Sequence, residues 1–139
     1  MGMIMIVDDE PVTQLMVRLM LQRANHSVIM ANDGQDAMTQ LNNESVDLII
    51  ADINMPKMDG LTLLQQLRQD KRYENLPVIV FTAISKSQTH LEAKQKGASG
   101  ILTKPVSSST LVDTVAQHLA RPHVSSAANE HSPDYTFAQ

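Results

Sequence analysis

Met3-Ile4-Met5-Ile6-Val7-Asp8-Asp9-Glu10-Pro11 is the stretch on which the reading of this chain turns. Its apolar residues follow one another without alternation, as in a strand whose sheet is covered by helices on both faces. Two carboxylates then close the strand. Pro11 suits the first turn of a helix, where its missing N–H has no intrahelical partner to lose. The same rhythm recurs downstream, where Val28–Ala31, Val46–Ala51, Val78–Phe81 and a weaker Gly100–Thr103 read as four more strands. Helical stripes lie between them, clearest in Val12, Leu15, Met16, Leu19 and Met20 and, near the end, in Leu111, Val112, Val115, Ala116 and Leu119. Helix starts carry capping residues: Asp9 and Glu10 before Pro11, Asp33 before Gly34 with Asp36 three on, Asp59 before Gly60, and Ser108 or Ser109 before Leu111. Gly97 ends the fourth helix. Strand and helix alternating five times predict right-handed crossovers and an α/β domain with a five-stranded parallel sheet, doubly wound.

Length and composition limit what such a unit can be. A chain of 139 residues, 42% hydrophobic, makes one folded domain with a short remainder, here residues 1–121 and a flexible C-terminal tail or linker at 122–139. From Pro122 onward the apolar periodicity lapses, and Tyr135 and Phe137 are the only hint of a docking segment there. The apolar runs are too short to cross a membrane and no signal sequence is recognisable, so a cytoplasmic protein without a membrane partner is expected. The absence of cysteine removes disulfides, thiolate metal sites and cysteine nucleophiles together. Eleven Lys and Arg against 15 Asp and Glu give a net charge of −4, the wrong sign for gripping phosphate backbones, so no direct nucleic-acid contact is expected. Glu130 and Asp134 carry half of that excess into the tail. The fourth helical segment, Lys86–Lys96, has only Leu91 and Ala93 as apolar residues between Ser87 and Gln95. A helix that buries so little is a candidate for movement.

Three carboxylates stand where a site is expected. Asp8 and Asp9 follow the first strand and Asp52 ends the third. In open α/β sheets ligands bind beyond the carboxyl ends of the strands, where the strand order reverses. With order 2-1-3-4-5 the first and third strands are neighbours at that point. Carboxylates gathered there repel one another and call for protons or a cation. Oxygen ligands, with no cysteine and no nearby histidine, favour Mg²⁺ or Mn²⁺ over zinc, and Mg²⁺ pairs readily with phosphoryl oxygens. Helix capping would account for at most one of the first two aspartates. His26, His90, His118, His123 and His131 show no metal-ligand spacing and read as solvated or structural.

These residues resemble the receiver domains of two-component response regulators of the chemotaxis-protein type. The resemblance runs from Met3 to about Ala120. It rests on Val7-Asp8-Asp9-Glu10, Asp52-Ile53-Asn54-Met55-Pro56-Lys57-Met58-Asp59-Gly60, Phe81-Thr82-Ala83 and Lys104-Pro105, in that order. It implies a flavodoxin-like (βα)5 fold and a phosphorylation-dependent switch, not an enzyme acting on a separate substrate. Asp52 would take a phosphoryl group from the phosphohistidine of a sensor histidine kinase or histidine phosphotransfer protein. Asp9, Asp52 and the backbone carbonyl of Asn54 would ligate Mg²⁺, with Asp8 acting through a bound water. The chemistry is consistent: a carboxylate can be a nucleophile toward phosphorus, and catalysis is then mostly charge neutralisation. Lys104, ending the fifth strand, supplies a point charge, and Thr82, ending the fourth, a hydroxyl donor. Gly60 and Pro56 shape the loop after the third strand. For Lys104-Pro105 the ordinary preference is trans, whereas the resemblance implies cis.

The chain departs from the family where Ile101 stands in place of the usual Tyr or Phe, which puts the coupling between Thr82 and an aromatic partner in question. A blunter switch through Thr82, its loop and the fourth helix is expected, since phosphorylation needs only a bistable element to bias. The signal would leave through the fourth helix, fifth strand and fifth helix to a downstream effector or output domain. Either a stand-alone regulator or the N-terminal receiver of a longer one fits, and a non-phosphorylated interaction scaffold is a further alternative that the intact acidic set argues against. A haloacid-dehalogenase-type phosphatase would need an acid where Asn54 stands. A nucleotide-binding fold would need a glycine-rich turn after the first strand, where Asp9-Glu10-Pro11 stands. By the resemblance, Asn54 and Ile84 flank the attacking water and tune phosphoryl lifetime. An apolar Ile84 cannot orient water, so self-dephosphorylation is expected to be slow. Ile84→Glu should shorten the phosphoryl half-life severalfold; a wild type that decays faster than the variant would contradict this.

Overall fold

Parallel pairing obliges the chain to return to its starting edge after every strand, and the elements alternate accordingly. The computed structural model describes residues 2–55, 57–83 and 86–120. In order they form β1 (Met3–Val7), α1 (Pro11–Arg23), β2 (Ser27–Ala31), α2 (Gly34–Leu41), β3 (Leu48–Asp52), α3 (Gly60–Gln69), β4 (Val78–Thr82), α4 (Ser87–Gln95), β5 (Gly100–Thr103) and α5 (Ser108–Ala120). The sheet is parallel throughout, with order β2-β1-β3-β4-β5. The five-stranded, doubly wound sheet read from the sequence is therefore the one observed.

Alternate strand residues build two cores. Met5, Val7, Ile49, Ala51, Val78, Val80 and Ile101 pack with residues of α2, α3 and α4, while Ile4, Ile6, Leu48, Ile50, Ile79, Phe81 and Leu102 pack with residues of α1 and α5. The third strand begins at Leu48, later than Val46. Asp47 pairs with Met3 through both its N–H and its side chain, which accepts the Met3 N–H at 2.8 Å. A carboxylate that takes a ladder donor ends the regular pairing.

Asp33 and Asp59 cap α2 and α3, accepting the Asp36 and Thr62 N–H groups at 2.8 Å each. Two other expected caps differ. Glu10 precedes α1 without a capping side-chain bond. At α5 the hydroxyl of Ser107, not of Ser108 or Ser109, accepts the Thr110 N–H at 3.2 Å.

The apolar stripe of α1 is also corrected. Val17 and Leu21 are buried, whereas Val12, Leu15, Met16 and Leu19 are 63%, 45%, 51% and 47% exposed. Gln14 sets the rotation. Its amide reaches the carbonyls of Asp8 and Ala31 and the side chain of Asn32, and Val17 and Leu21 follow it at helical spacing on the same face. On α5, Ala116 is exposed and His118 is buried, its ring nitrogens lying 2.8 Å from the Thr114 carbonyl and 2.9 Å from that of Ser99. His26 is also structural, its Nδ1 accepting the Gly2 N–H at 3.1 Å.

Helix α4 is as thinly anchored as its composition suggests. Ala93 is its buried residue and Leu91 is 55% exposed. Its C-terminal end is held differently: Gly97 takes a left-handed φ of 104°, and the Arg68 Nε–H donates to the Gly97 carbonyl at 2.9 Å. Burial pulls the Arg68 guanidinium down to about 10. No helix among the described residues is long and apolar enough to cross a membrane.

The difference between the two faces of α1 is measurable by urea unfolding. Leu21→Ala should cost about 2–5 kcal/mol, whereas Leu15→Ala should stay within about 0.5 kcal/mol.

Candidate functional site

Parallel register decides which strand ends meet. Val7 lies opposite Ala51, Asp52 opposite Phe81 and Thr82 opposite Thr103. Asp8, Asp9, Asp52, Thr82 and Lys104 therefore gather at one edge of the sheet. The Lys104 N–H donates to the Thr82 carbonyl at 2.8 Å, prolonging the β4–β5 pairing by one residue. Its ammonium then reaches back across the sheet, donating to Asp8 Oδ2 at 3.0 Å and to Asp52 Oδ2 at 3.3 Å. The same Nζ lies 5.1 Å from the centre of the Phe81 ring, a favourable placement for a cation over an aromatic face. The Lys104-Pro105 bond is cis, as the family resemblance implied and the ordinary preference did not.

The carboxylates differ in how much of each is already engaged. Asp8 is 1% exposed, with Oδ1 accepting the Glu10 N–H at 2.9 Å and Oδ2 bound to Lys104. Asp52 is 9% exposed and its Oδ1 accepts the Asn54 N–H at 3.4 Å. Asp9 faces solvent. Burial, helped by the charge of Asp8 and opposed by Lys104 and the Asn54 N–H, raises the Asp52 carboxyl above its ordinary range. Burial draws the Lys104 ammonium down, but hydrogen bonds and charge from Asp8 and Asp52 outweigh it and hold Lys104 above the usual lysine range. One ammonium thus answers two carboxylates, and the pocket keeps excess negative charge. Carboxylate oxygens of Asp8, Asp9 and Asp52 lie within 4.8 Å of one another. An all-oxygen set with one member open to water fits a hard divalent ion that keeps part of its hydration.

Local backbone geometry fixes Asp52. The Gly60 N–H donates to the Ile53 carbonyl at 2.9 Å, and a Cβ on Gly60 would fall 2.0 Å from the Asp52 carbonyl oxygen. Only glycine fits there, so Gly60 shapes the loop as its position in the sequence suggested.

Residues 4–116 match the family described as the response regulator receiver domain. The chain belongs to that family. It is 34% identical to the protein PilH of Pseudomonas aeruginosa over 120 residues, 86% of this chain and 99% of PilH. It is 33% identical over 132 residues, 95% of this chain, to the DNA-binding dual master transcriptional regulator RpaA of Synechocystis, but the match spans 55% of that longer protein. Among solved structures, the chemotaxis response regulator CheY4 of Vibrio cholerae superposes with a TM-score of 0.79 at 32% identity, covering 84% of this chain and 98% of CheY4. Receiver domains are signalling switches that bind Mg²⁺ at an acidic pocket, and the aspartate cluster of this receiver could hold such an ion.

The receiver brings Asp8, Asp9, Asp52 and Lys104 into one pocket, with the Asn54 N–H on Asp52. Thr82, on the adjacent strand end, is fully buried. Ile101 is 1% exposed and packs in the core beneath α3 and α4. Ile84, Pro56 and the tail at 122–139 lie outside the described residues. Sequence reading missed two contributors. Gln14 ties α1 to the ends of β1 and β2, yet a polar residue on a helix gives no sign of it. Phe81 carries the Lys104 ammonium over its ring, yet inside an apolar strand it reads simply as core.

A raised Asp52 carboxyl means that its ionised form costs the fold stability. That cost is present above the raised value and disappears as the pH falls below the ordinary carboxylate range of about 4. In a metal chelator at neutral pH, Asp52→Asn should therefore have a higher thermal midpoint than wild type. The gap should close on acidification; a variant less stable than wild type at neutral pH would refute the assignment.

Proposed function

We propose that Asp52 is the phosphoacceptor of this receiver and that its donor is the phosphohistidine of a sensor histidine kinase or histidine phosphotransfer protein. The observation that carries the reading is the Lys104 ammonium shared between Asp8 and Asp52, beside carboxylates clustered closely enough for one cation. In transfer, the Asp52 carboxylate attacks phosphorus while the P–N bond breaks and the imidazole leaves with the electron pair. Asp9, Asp52 and the Asn54 carbonyl hold Mg²⁺, and Asp8 acts through water; when bound, the ion neutralises charge on the transferring oxygens. Lys104 supplies a fixed positive charge, and the Thr82 hydroxyl donates to the incoming phosphoryl group. Asn54 and Ile84 set how long that group lasts.

The exposed face of α1 supports a helical donor. Val12, Leu15, Met16 and Leu19 recur at the spacing of a helix–helix seam. Beside them a groove of roughly 360 Å³, lined by Met16, Met20, Phe81, Lys104, Pro105 and Val106 among others, runs up to the phosphorylation pocket. The output is read through Thr82 and α4, with Ile101 the fixed packing position at the switch, and leaves by the α4, β5 and α5 face to a protein effector or an attached output domain. The partial coverage of RpaA favours, as a second reading, a receiver that serves a longer regulator.

Intact-mass measurement after acetyl phosphate and Mg²⁺ should add one phosphoryl group to wild type and none to Asp52→Asn. No addition to wild type would favour a scaffold. With a protein donor, Leu15→Ala/Leu19→Ala should be phosphorylated about ten-fold more slowly, the loss of roughly 1.4 kcal/mol of docking, while acetyl phosphate uptake is unchanged. Equal loss with both donors would remove α1 from the donor site.

A further inference from the structure

Gly34 opens α2 without a backbone reason to be glycine. Its φ is not in the left-handed region, which among the described glycines only Gly97 occupies. Within a helix, alanine is the better residue. Space explains it instead. A Cβ on Gly34 would lie 2.7 Å from the Met58 carbonyl oxygen and within 2.9 Å of Met58 Cβ and Cγ, and the Gly34 N–H donates to that same carbonyl at 3.0 Å. Met58 belongs to the loop between β3 and α3. Its neighbour Lys57 takes a left-handed φ of 66°, unusual for a side-chain-bearing residue, and its ammonium lies 4.0 Å from the Asp33 carboxylate at the head of α2.

We infer that Gly34 is a positioning residue for the metal-binding loop, its missing side chain letting α2 draw Met58 inward and so set the height of Asn54. The inference rests on the proposed role of the Asn54 carbonyl as a metal ligand. The loop is closed at its base by the Gly60 N–H bond to the Ile53 carbonyl, and Gly60 is itself jammed against the Asp52 backbone. With Gly60 held at the base, a displacement of Met58 would bear on the loop that carries Asn54, whose N–H meets Asp52 Oδ1. The segment that ends β2 is tied to the same site from the other side, since the Asp8 N–H donates to the Ala31 carbonyl at 3.1 Å. The start of α2 thus bears on both halves of the acidic pocket without contributing a side chain to it.

The test is a Mg²⁺ titration of the full chain, with no phosphodonor present, followed on the backbone amide resonance of Asn54. Gly34→Ala should weaken Mg²⁺ roughly ten-fold, as loss of a ligand's support does, with the thermal midpoint largely kept. Gln35→Ala, at the exposed next position, should leave the Mg²⁺ affinity unchanged. Adding Met58→Gly to Gly34→Ala removes two of the three crowding atoms and should restore part of the affinity; this double variant also carries the comparison if the single one does not accumulate folded. A Gly34→Ala protein with a lowered midpoint but wild-type Mg²⁺ affinity overturns the inference, as do equal losses in Gly34→Ala and Gln35→Ala. A wild type whose Asn54 amide does not respond to Mg²⁺ overturns the metal assignment first, and the inference with it.

Discussion

The ammonium of Lys104 holds two carboxylates that would otherwise drive the sheet edge apart. Asp8 and Asp52 are almost out of water, and each places one oxygen within hydrogen-bonding distance of that nitrogen. Deleting the ammonium would leave two buried carboxylates uncompensated, a loss of about 3–5 kcal/mol where such charges are deeply buried. Lys104 lies at the end of β5, the strand furthest from β2, so its reach across β4 ties the far side of the sheet to the ends of β1 and β3. Because one positive charge faces two buried negative ones, with Asp9 beside them, the balance remains negative. That residue of charge makes the pocket a place for a further cation, and it follows from strand order before any ligand is considered.

The arrangement in turn depends on parallel register. A strand buried on both faces has no polar side chain to spare along its length, so the polar groups stand at its ends. Parallel pairing places those ends together on one side of the sheet. Helices on both faces then bury the apolar flanks, and the loops on the acidic edge are short enough to be shaped by single glycines such as Gly60.

Much of this was legible in the sequence. Consecutive apolar residues at Met3–Val7 and the acidic pair after them identified a doubly wound sheet and half of the pocket, because burial on two faces leaves a pattern that few other environments produce. Asp52 and Lys104 were legible as strand-end residues joined to recognisable motifs. What could not be read was rotation and reach. The stripe on α1 was apolar and helical, yet it faces outward, because Gln14 has two carbonyls and an amide to satisfy and turns the helix to meet them. A polar anchor of that kind competes with hydrophobic periodicity and leaves no periodic trace. The α5 cap was misplaced for a similar reason: several serines stand at the start of α5, and which one bonds depends on the angle at which the chain arrives.

Ile101 and α4 together bear on how a change at the pocket could be stored. A β-branched side chain is restricted at χ1, so Ile101, sealed in the core, offers less room for a second position than a long aromatic side chain would. The alternative store would be α4, whose far end is fastened by Arg68 on Gly97 and whose buried residue is Ala93. Driving an equilibrium from 1:99 to 99:1 needs about 5.5 kcal/mol of differential free energy, and a helix that buries a single residue would need less. The consequence would be leakiness: an α4 that buries so little would sample a second arrangement at rest, and the receiver would answer a signal by degree instead of by an abrupt throw.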